Sequence, residues 1–186
     1  MLIISQNLAN YDMPIPQDAI FRFNLAWIGN LNDLKKLLKK HENHPIFLDV
    51  PVKRVKPPNN TYTIEDLIPI IKSNKNIKYF AISNVEKSED LTKYVELIPY
   101  NVIVVPKIEN MKGISNIESI TNALPYKQKI VMLDHDDLYS SLSKSAEPAS
   151  KFKEYVNKII DFCGTHNVKL LRTRGVIFSD DEKRII

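Results

Sequence analysis

Three stretches of this sequence place charged side chains where apolar runs stop. Lys107 and Glu109 follow VIVVP, Asp134 to Asp137 (with His135 between) follow IVML, and Arg22 and Asn24 end IFRFN. Two acids from neighbouring strands, Glu109 with one of Asp134, Asp136 or Asp137, suit a hard divalent ion such as Mg²⁺, with water and substrate oxygens completing its shell. Arg22 and Lys107 suit a carboxylate or phosphate bound to that ion. A metal with an arginine and a lysine can stabilise a developing enolate or a transferring phosphoryl group. Other apolar runs end in Asp49, in Ser83 and Asn84, and in Arg172 and Thr173. Side chains alternate along a strand, so Arg22 and Asn24 share one face, as do Lys107 and Glu109.

These residues need strands whose carboxyl ends meet, and the hydrophobic pattern supplies them. Strands are expected at 2–4, 19–24, 46–50, 78–83, 102–106, 130–134 and 168–172. Helical periodicity lies between most of them. Leu31, Leu34, Leu37 and Leu38 share a face, as do Ile64, Leu67, Ile68 and Ile71, and Leu91, Val95 and Ile98. Phe152, Tyr155, Val156, Ile159, Ile160 and Cys163 form the clearest stripe. Asn30, Thr63 and Ser88 read as helix N-caps, and Ser115 with Glu118 as a capping box. Pro69 conflicts with the second helix, which either starts near Leu67 or is kinked. Lys35, Lys36, Lys39 and Lys40 read as a solvated face, Trp27 as packing and His135 as part of a solvated turn. Strand–helix alternation with nearly continuous apolar strands means a parallel sheet covered by helices.

The 186 residues make one domain, 1–186, with no linker or repeat. Net charge is +4, too small and too spread to argue for nucleic acid. No apolar run reaches the ~18 residues of a membrane span, and the N-terminus does not read as a signal peptide, so a cytoplasmic protein is expected. One cysteine excludes an internal disulfide framework. Glycine occurs only 4 times, and no G-x-G-x-x-G or G-x-x-x-x-G-K-[ST] loop is present, which removes the glycine-loop nucleotide folds.

VIVVPKIENMKGISNIESI (102–120) followed by IVMLDHDDL (130–138) resembles the core of the phosphoenolpyruvate/pyruvate superfamily of TIM barrels. That superfamily includes pyruvate kinase, citrate lyase β-subunit-like enzymes and HpcH/HpaI-type aldolases. FRFNLAW (21–27) is similar to the kinase's R-x-N-F-S strand and IFLDV (46–50) to its L-L-D strand. The resemblance implies a pyruvate kinase-like (β/α) barrel, shortened to about seven strands, against the ~250 residues of a full one. It implies Glu109 and Asp137 as ligands of Mg²⁺ or Mn²⁺, Lys107 and Arg22 as catalytic groups, and Asn24 and Asp49 at a potassium site. Ser83, Asp136, Arg172 and Thr173 would join Asn24 and Asp49 in lining the substrate site. The basic loop residues Lys53, Arg54 and Lys56 lie beside it.

Departures are equally specific. Ala26 stands where the kinase strand has serine, which bears on the potassium site. Asp136 stands where the kinase has the glycine before its metal aspartate. Asp134 takes the place of the aldolases' glycine, where it would crowd and repel an anion. The kinase's lid is reduced to the loop after Asp49, so pyruvate kinase activity itself is not expected. The activity implied is a metal-dependent lyase or aldolase acting on a 2-oxo acid or enolpyruvate compound. The alternative is a degenerate barrel that serves as a binding or assembly protein. A small anionic substrate is the expected partner, with neither nucleic acid nor membrane. The barrel is expected to be open, closed by a second copy in a homodimer, or completed by the tail GVIF (175–178).

Overall fold

Seven apolar runs form seven strands: β1 (Ile3–Ser5), β2 (Ile20–Asn24), β3 (Ile46–Val50), β4 (Ile77–Ile82), β5 (Ile103–Ile108), β6 (Ile130–Leu133) and β7 (Lys169–Arg172). The structure is a computed structural model that describes residues 1–5, 15–52 and 62–172. Each strand pairs in parallel with the next, in the order β1 to β7. Parallel neighbours need a crossover, and from β2 onward helices supply it. They are α1 (Leu31–Lys40), α2 (Ile64–Ser73), α3 (Glu89–Leu97), α4 (Met111–Ser115), α5 (Ile117–Asn122), α6 (His135–Lys144) and α7 (Lys151–Thr165). The sheet curls into a half-barrel, so the fold is an incomplete α/β barrel, as expected. Among the described residues no ladder joins β7 to β1. The GVIF segment lies outside the described residues.

The strands sort their side chains with period two. Ile20, Phe47, Ala81, Val105, Ile130 and Met132 form one buried cluster on the inner face. Phe21, Phe23, Leu48, Phe80, Val104 and Leu133 belong to the larger cluster against the helices. This parity decides what reaches the mouth. Two residues beyond the inner layer come Arg22, Asp49, Ser83, Lys107 and Asp134. A charged layer therefore rests on an apolar one, and the same alternation produces both.

Helix ends follow the expected chemistry in part. Asn30 caps α1 by accepting from the Asp33 amide, and Thr63 with Asp66 closes a capping box on α2. The α1 lysines face solvent, as expected. Pro69 lies inside α2, which starts at Ile64 and not near Leu67. A proline there deprives only the Glu65 carbonyl of its helical partner. Ser88 stands at the α3 cap position but makes no capping bond. The Asp90 carboxylate instead accepts from the Glu86 and Lys87 amides. The expected capping box at Ser115 and Glu118 is absent. Asn110 caps α4 through the Gly113 amide, and Ser115 is the last residue of that helix. Asn116, which makes no side-chain cap, precedes α5. Trp27 does not pack: it ends a short 3-10 turn that points Leu25 and Ala26 inward, and it is 66% exposed. Cys163 is a core residue of α7, and burial pushes its thiol up to about 11.

Gly113 is required by close approach. A Cβ there would stand 2.6 Å from the Val85 carbonyl oxygen, a backbone atom that cannot move alone. Gly113→Ala is expected to cost about 1–3 kcal/mol through overpacking, read from urea denaturation. A neutral result would mean that α4 can slide away from the β4–α3 connection without cost.

His41 ends α1 on the outer side of β2. The residue is 5% exposed, its ring lies tilted with its centroid 4.2 Å from that of Phe21, and its Nε2 has no hydrogen-bond partner. Burial, with Lys40 and His44, lowers its pKa below the ordinary 6.5. The unfolded chain then binds more protons below pH 6.5, so this contribution to stability is present above that value and lost as pH falls through it. Urea midpoints should therefore drop between pH 7.5 and 5.5, and drop less in His41→Phe. Equal drops in both proteins would assign the pH dependence elsewhere.

Candidate functional site

The charged layer opens into a cavity of about 660 Å³ at the carboxyl ends of the strands. Its lining includes five carboxylates (Asp49, Glu109, Asp134, Asp136 and Asp137) and three cations (Arg22, Lys107 and Lys144), a formal excess of two negative charges. Asn24, Pro51, Ser83, Asn84, Asn110, Ser140 and Ser141 complete it. Almost no apolar side chain faces it, so it suits a small, highly polar ligand.

Lys107 is the hub. It is 4% exposed, and its Nζ stands 2.8 Å from Glu109 Oε1, 3.4 Å from Asp49 Oδ2 and 3.9 Å from Asp134 Oδ2. It donates a 3.3 Å hydrogen bond to Ser83 Oγ. Burial alone would lower its pKa, but the charges of Asp49 and Glu109 outweigh burial and raise it. The ammonium stays protonated. Arg22 is turned onto Asp49, with Nε 2.8 Å from Oδ2 and Nη2 on the same oxygen. Strand register explains the contact: Asn24 pairs with Asp49, which puts Arg22 and Asp49 on the inner face one step apart.

Glu109 is 4% exposed and takes the Asn84 amide on Oε2 at 2.8 Å. Its Oε1 has Lys107 as ion partner but no hydrogen bond of good angle. Burial raises its pKa, with Lys107 and the Asn84 amide opposing and Asp137 adding to the rise. Asn84 makes that bond from a left-handed backbone, φ 55°, which asparagine tolerates better than most residues. Its own Nδ2 donates to Val52 O, fixing the turn.

Asp134 caps α6 by accepting from the Asp137 amide. One carboxylate oxygen each from Glu109, Asp134 and Asp137 lies within 4.8 Å of the others, a spacing that could hold one metal ion. Asp134 therefore joins Glu109 and Asp137 in one acid set. Side chains on α6 from Asp136 to Lys144 run along one side of the cavity.

Of the residues expected at the site, Arg22, Asn24, Asp49, Ser83, Lys107, Glu109, Asp136 and Asp137 line this cavity together. Arg172 does not. It pairs in register with Leu133, which faces the helices, so it points away from the mouth. Thr173 and the basic loop residues Lys53, Arg54 and Lys56 lie outside the described residues. His135 is not in a turn but is the first residue of α6, with its ring 6.2 Å from that of Phe152. Ser140, Ser141 and Lys144 were not expected. They come with α6, whose signals were an acidic first turn and the Leu138–Leu142 pair at i, i+4.

No family profile and no curated protein matches this chain. Solved structures do. RipC from Yersinia pestis superposes with a TM-score of 0.61 at 15% identity, over 87% of this chain and 72% of that one. Pyruvate kinase from Cryptosporidium parvum, in complex with ADP, gives 0.57 at 14% identity, over 81% of this chain and 50% of that one. Both are likenesses of fold. The chain thus spans about half the length of that kinase. Among the described residues no helix is long and apolar enough to cross a membrane.

Proposed function

We propose that the chain is a divalent-metal-dependent enzyme of the lyase or aldolase type, acting on a 2-oxo acid or enolpyruvate compound. One observation carries the reading: three carboxylates converge at the mouth of a pyruvate kinase-like barrel, in a cavity with two surplus negative charges. All-oxygen donors of this kind fit Mg²⁺ or Mn²⁺. Glu109, Asp134 and Asp137 would hold the ion. Such an ion, when bound, supplies Lewis-acid polarisation of a 2-oxo group.

The chain's own residues do the rest. Lys107, kept protonated, stabilises negative charge that develops on the substrate oxygen as a carbon–carbon bond breaks. Arg22 spends Nε and Nη2 on Asp49, which leaves Nη1 as its donor to a substrate carboxylate. The Asn84 amide fixes Glu109, so the acid keeps one oxygen turned toward Lys107 and the cavity. The hydroxyls of Ser140 and Ser141 and the Lys144 ammonium offer contacts to the far end of the substrate.

A second reading has its own support. Lys107 pairs with Glu109 and Arg22 with Asp49, the arrangement expected of a degenerate barrel whose charges satisfy one another. Calorimetric titration of Mn²⁺ with and without oxalate, an enolpyruvate mimic, separates the two. The enzyme reading expects oxalate to tighten Mn²⁺ binding, and Glu109→Gln to weaken it by about 100-fold, the loss of one charged ligand. No Mn²⁺ binding by the wild type would leave the binding-protein reading standing.

A further inference from the structure

Ser83 brings a buried hydroxyl to the mouth. It immediately follows β4, two residues beyond Ala81 on the inner face. Its amide donates to Val50 O at 3.2 Å, so the β3–β4 ladder holds it in place. The residue is 9% exposed and lines the cavity. A hydroxyl carries one donor and two acceptor lone pairs. Ser83 Oγ accepts from Lys107 Nζ at 3.3 Å and, among the described residues, donates to nothing. Buried donors are normally paired, and the acceptor for this one has to come from what the cavity holds.

Lys107 is placed differently. Three protein oxygens, on Glu109, Ser83 and Asp49, stand within 3.4 Å of its Nζ, as many as the ammonium has protons. Its charge reaches the cavity, but protein atoms already surround its N–H groups. Two neighbouring carboxamides are also committed. Asn84 Nδ2 donates to Val52 O, and Asn110 gives Nδ2 to Glu86 and takes the Gly113 amide on Oδ1.

We infer that the Ser83 hydroxyl donates the hydrogen bond to the substrate oxygen on which negative charge develops, with Lys107 behind it. This rests on the enzyme reading and assigns the contact within it. The ammonium draws electron density from Ser83 Oγ, and a hydroxyl polarised in this way is the stronger donor. The proton stays on Ser83 throughout. Ser83 is then a catalytic residue, and Lys107 acts through it as well as through its own charge.

Calorimetry on the wild type, Ser83→Ala and Ser83→Cys tests the assignment with three probes: Mn²⁺ alone, then oxalate and pyruvate on the Mn²⁺-loaded proteins. Oxalate presents an anionic oxygen where pyruvate presents a neutral one. Mn²⁺ affinity should stay within about threefold, below the roughly 10- to 100-fold loss that follows when a metal's supporting groups are disturbed. Oxalate affinity should fall about 10- to 100-fold in Ser83→Ala, the range for a hydrogen bond to a charged acceptor, and pyruvate affinity by no more than about fivefold. Ser83→Cys keeps a similar shape with a weak donor and should also favour pyruvate over oxalate relative to the wild type, so it decides the matter where Ser83→Ala does not fold. Unchanged oxalate affinity overturns the inference, because the freed Lys107 ammonium would then make the contact itself. Equal losses for oxalate and pyruvate overturn it too, as does a loss of Mn²⁺ affinity beyond about tenfold, the mark of a group that only positions the acids. These outcomes leave the metal reading in place, whereas no Mn²⁺ binding by the wild type overturns that reading and this assignment with it.

Discussion

Lys107→Met is expected to lower stability by about 3–5 kcal/mol, the usual cost of leaving a buried charge without its partner. Methionine keeps most of the lysine stem's volume, so packing below the mouth is largely preserved. The ammonium is what goes. Asp49 keeps Arg22, but Glu109 keeps only the Asn84 amide. Burial already raises the Glu109 pKa, and without Lys107 the rise is larger. The sign with pH follows. A folded acid with a raised pKa loses stability as pH rises through and above its unfolded value, so the gap between variant and wild type should widen from pH 5 to pH 8. The cavity's excess also grows from two negative charges to three, so Mn²⁺ should raise the melting temperature of the variant more than that of the wild type. Urea denaturation across pH, with thermal melts in the presence and absence of Mn²⁺, measures all three. A loss below about 1 kcal/mol would mean that water already reaches Glu109.

Phe47→Ala should cost a similar amount, about 3–5 kcal/mol, for a different reason. Phe47 is fully buried in the inner layer, with its ring 5.8 Å from that of Tyr79. Its removal leaves a void that strands held on both sides cannot close. The void also lies under the site: Phe47 is the register partner of Arg22 and precedes Asp49 by two residues on the same face. Phe47→Leu should cost less, about 1–2 kcal/mol, because much of the volume remains. Near-infrared or visible spectra of a bound Co²⁺ probe would show whether the site above shifts as well. A Phe47→Ala cost no larger than that of Phe47→Leu would mean that the layer repacks, and that the mouth does not depend on its floor.

Much of this arrangement is legible in the sequence because a strand's period is fixed. Once IFRFN, IFLDV and VIVVP are read as parallel strands, alternation sets the faces within each, and the register of the ladder brings Arg22, Asp49 and Lys107 to one of them. The same rule gives Arg172 the parity of Leu170 and not of Leu171, the helix-facing side of its strand. What escaped was set by contacts distant in sequence. Nothing local in GISN says that Asn110, not Ser115, starts the helix; Gly113 has to pass close to Val85, and that close approach is a tertiary fact. The left-handed turn at Asn84 exists to aim one amide at Glu109, 25 residues away. Helix α6 looked like a turn because its acids stand together, although its leucine pair marked a helix.

The two stacked layers have an electrical consequence. Phe47, Val105 and Met132 form a floor that polarises weakly, so field lines from the acids above cannot spread downward and leave through the opening. The molecule as a whole carries +4, yet the side chains lining its concave end carry a formal excess of two negative charges. At physiological ionic strength, solvent-exposed charges more than about 8 Å apart are largely screened from one another, whereas charges inside a walled recess are screened much less. A cation that wanders over this basic protein therefore meets little repulsion from the outer lysines and a focused attraction at one spot.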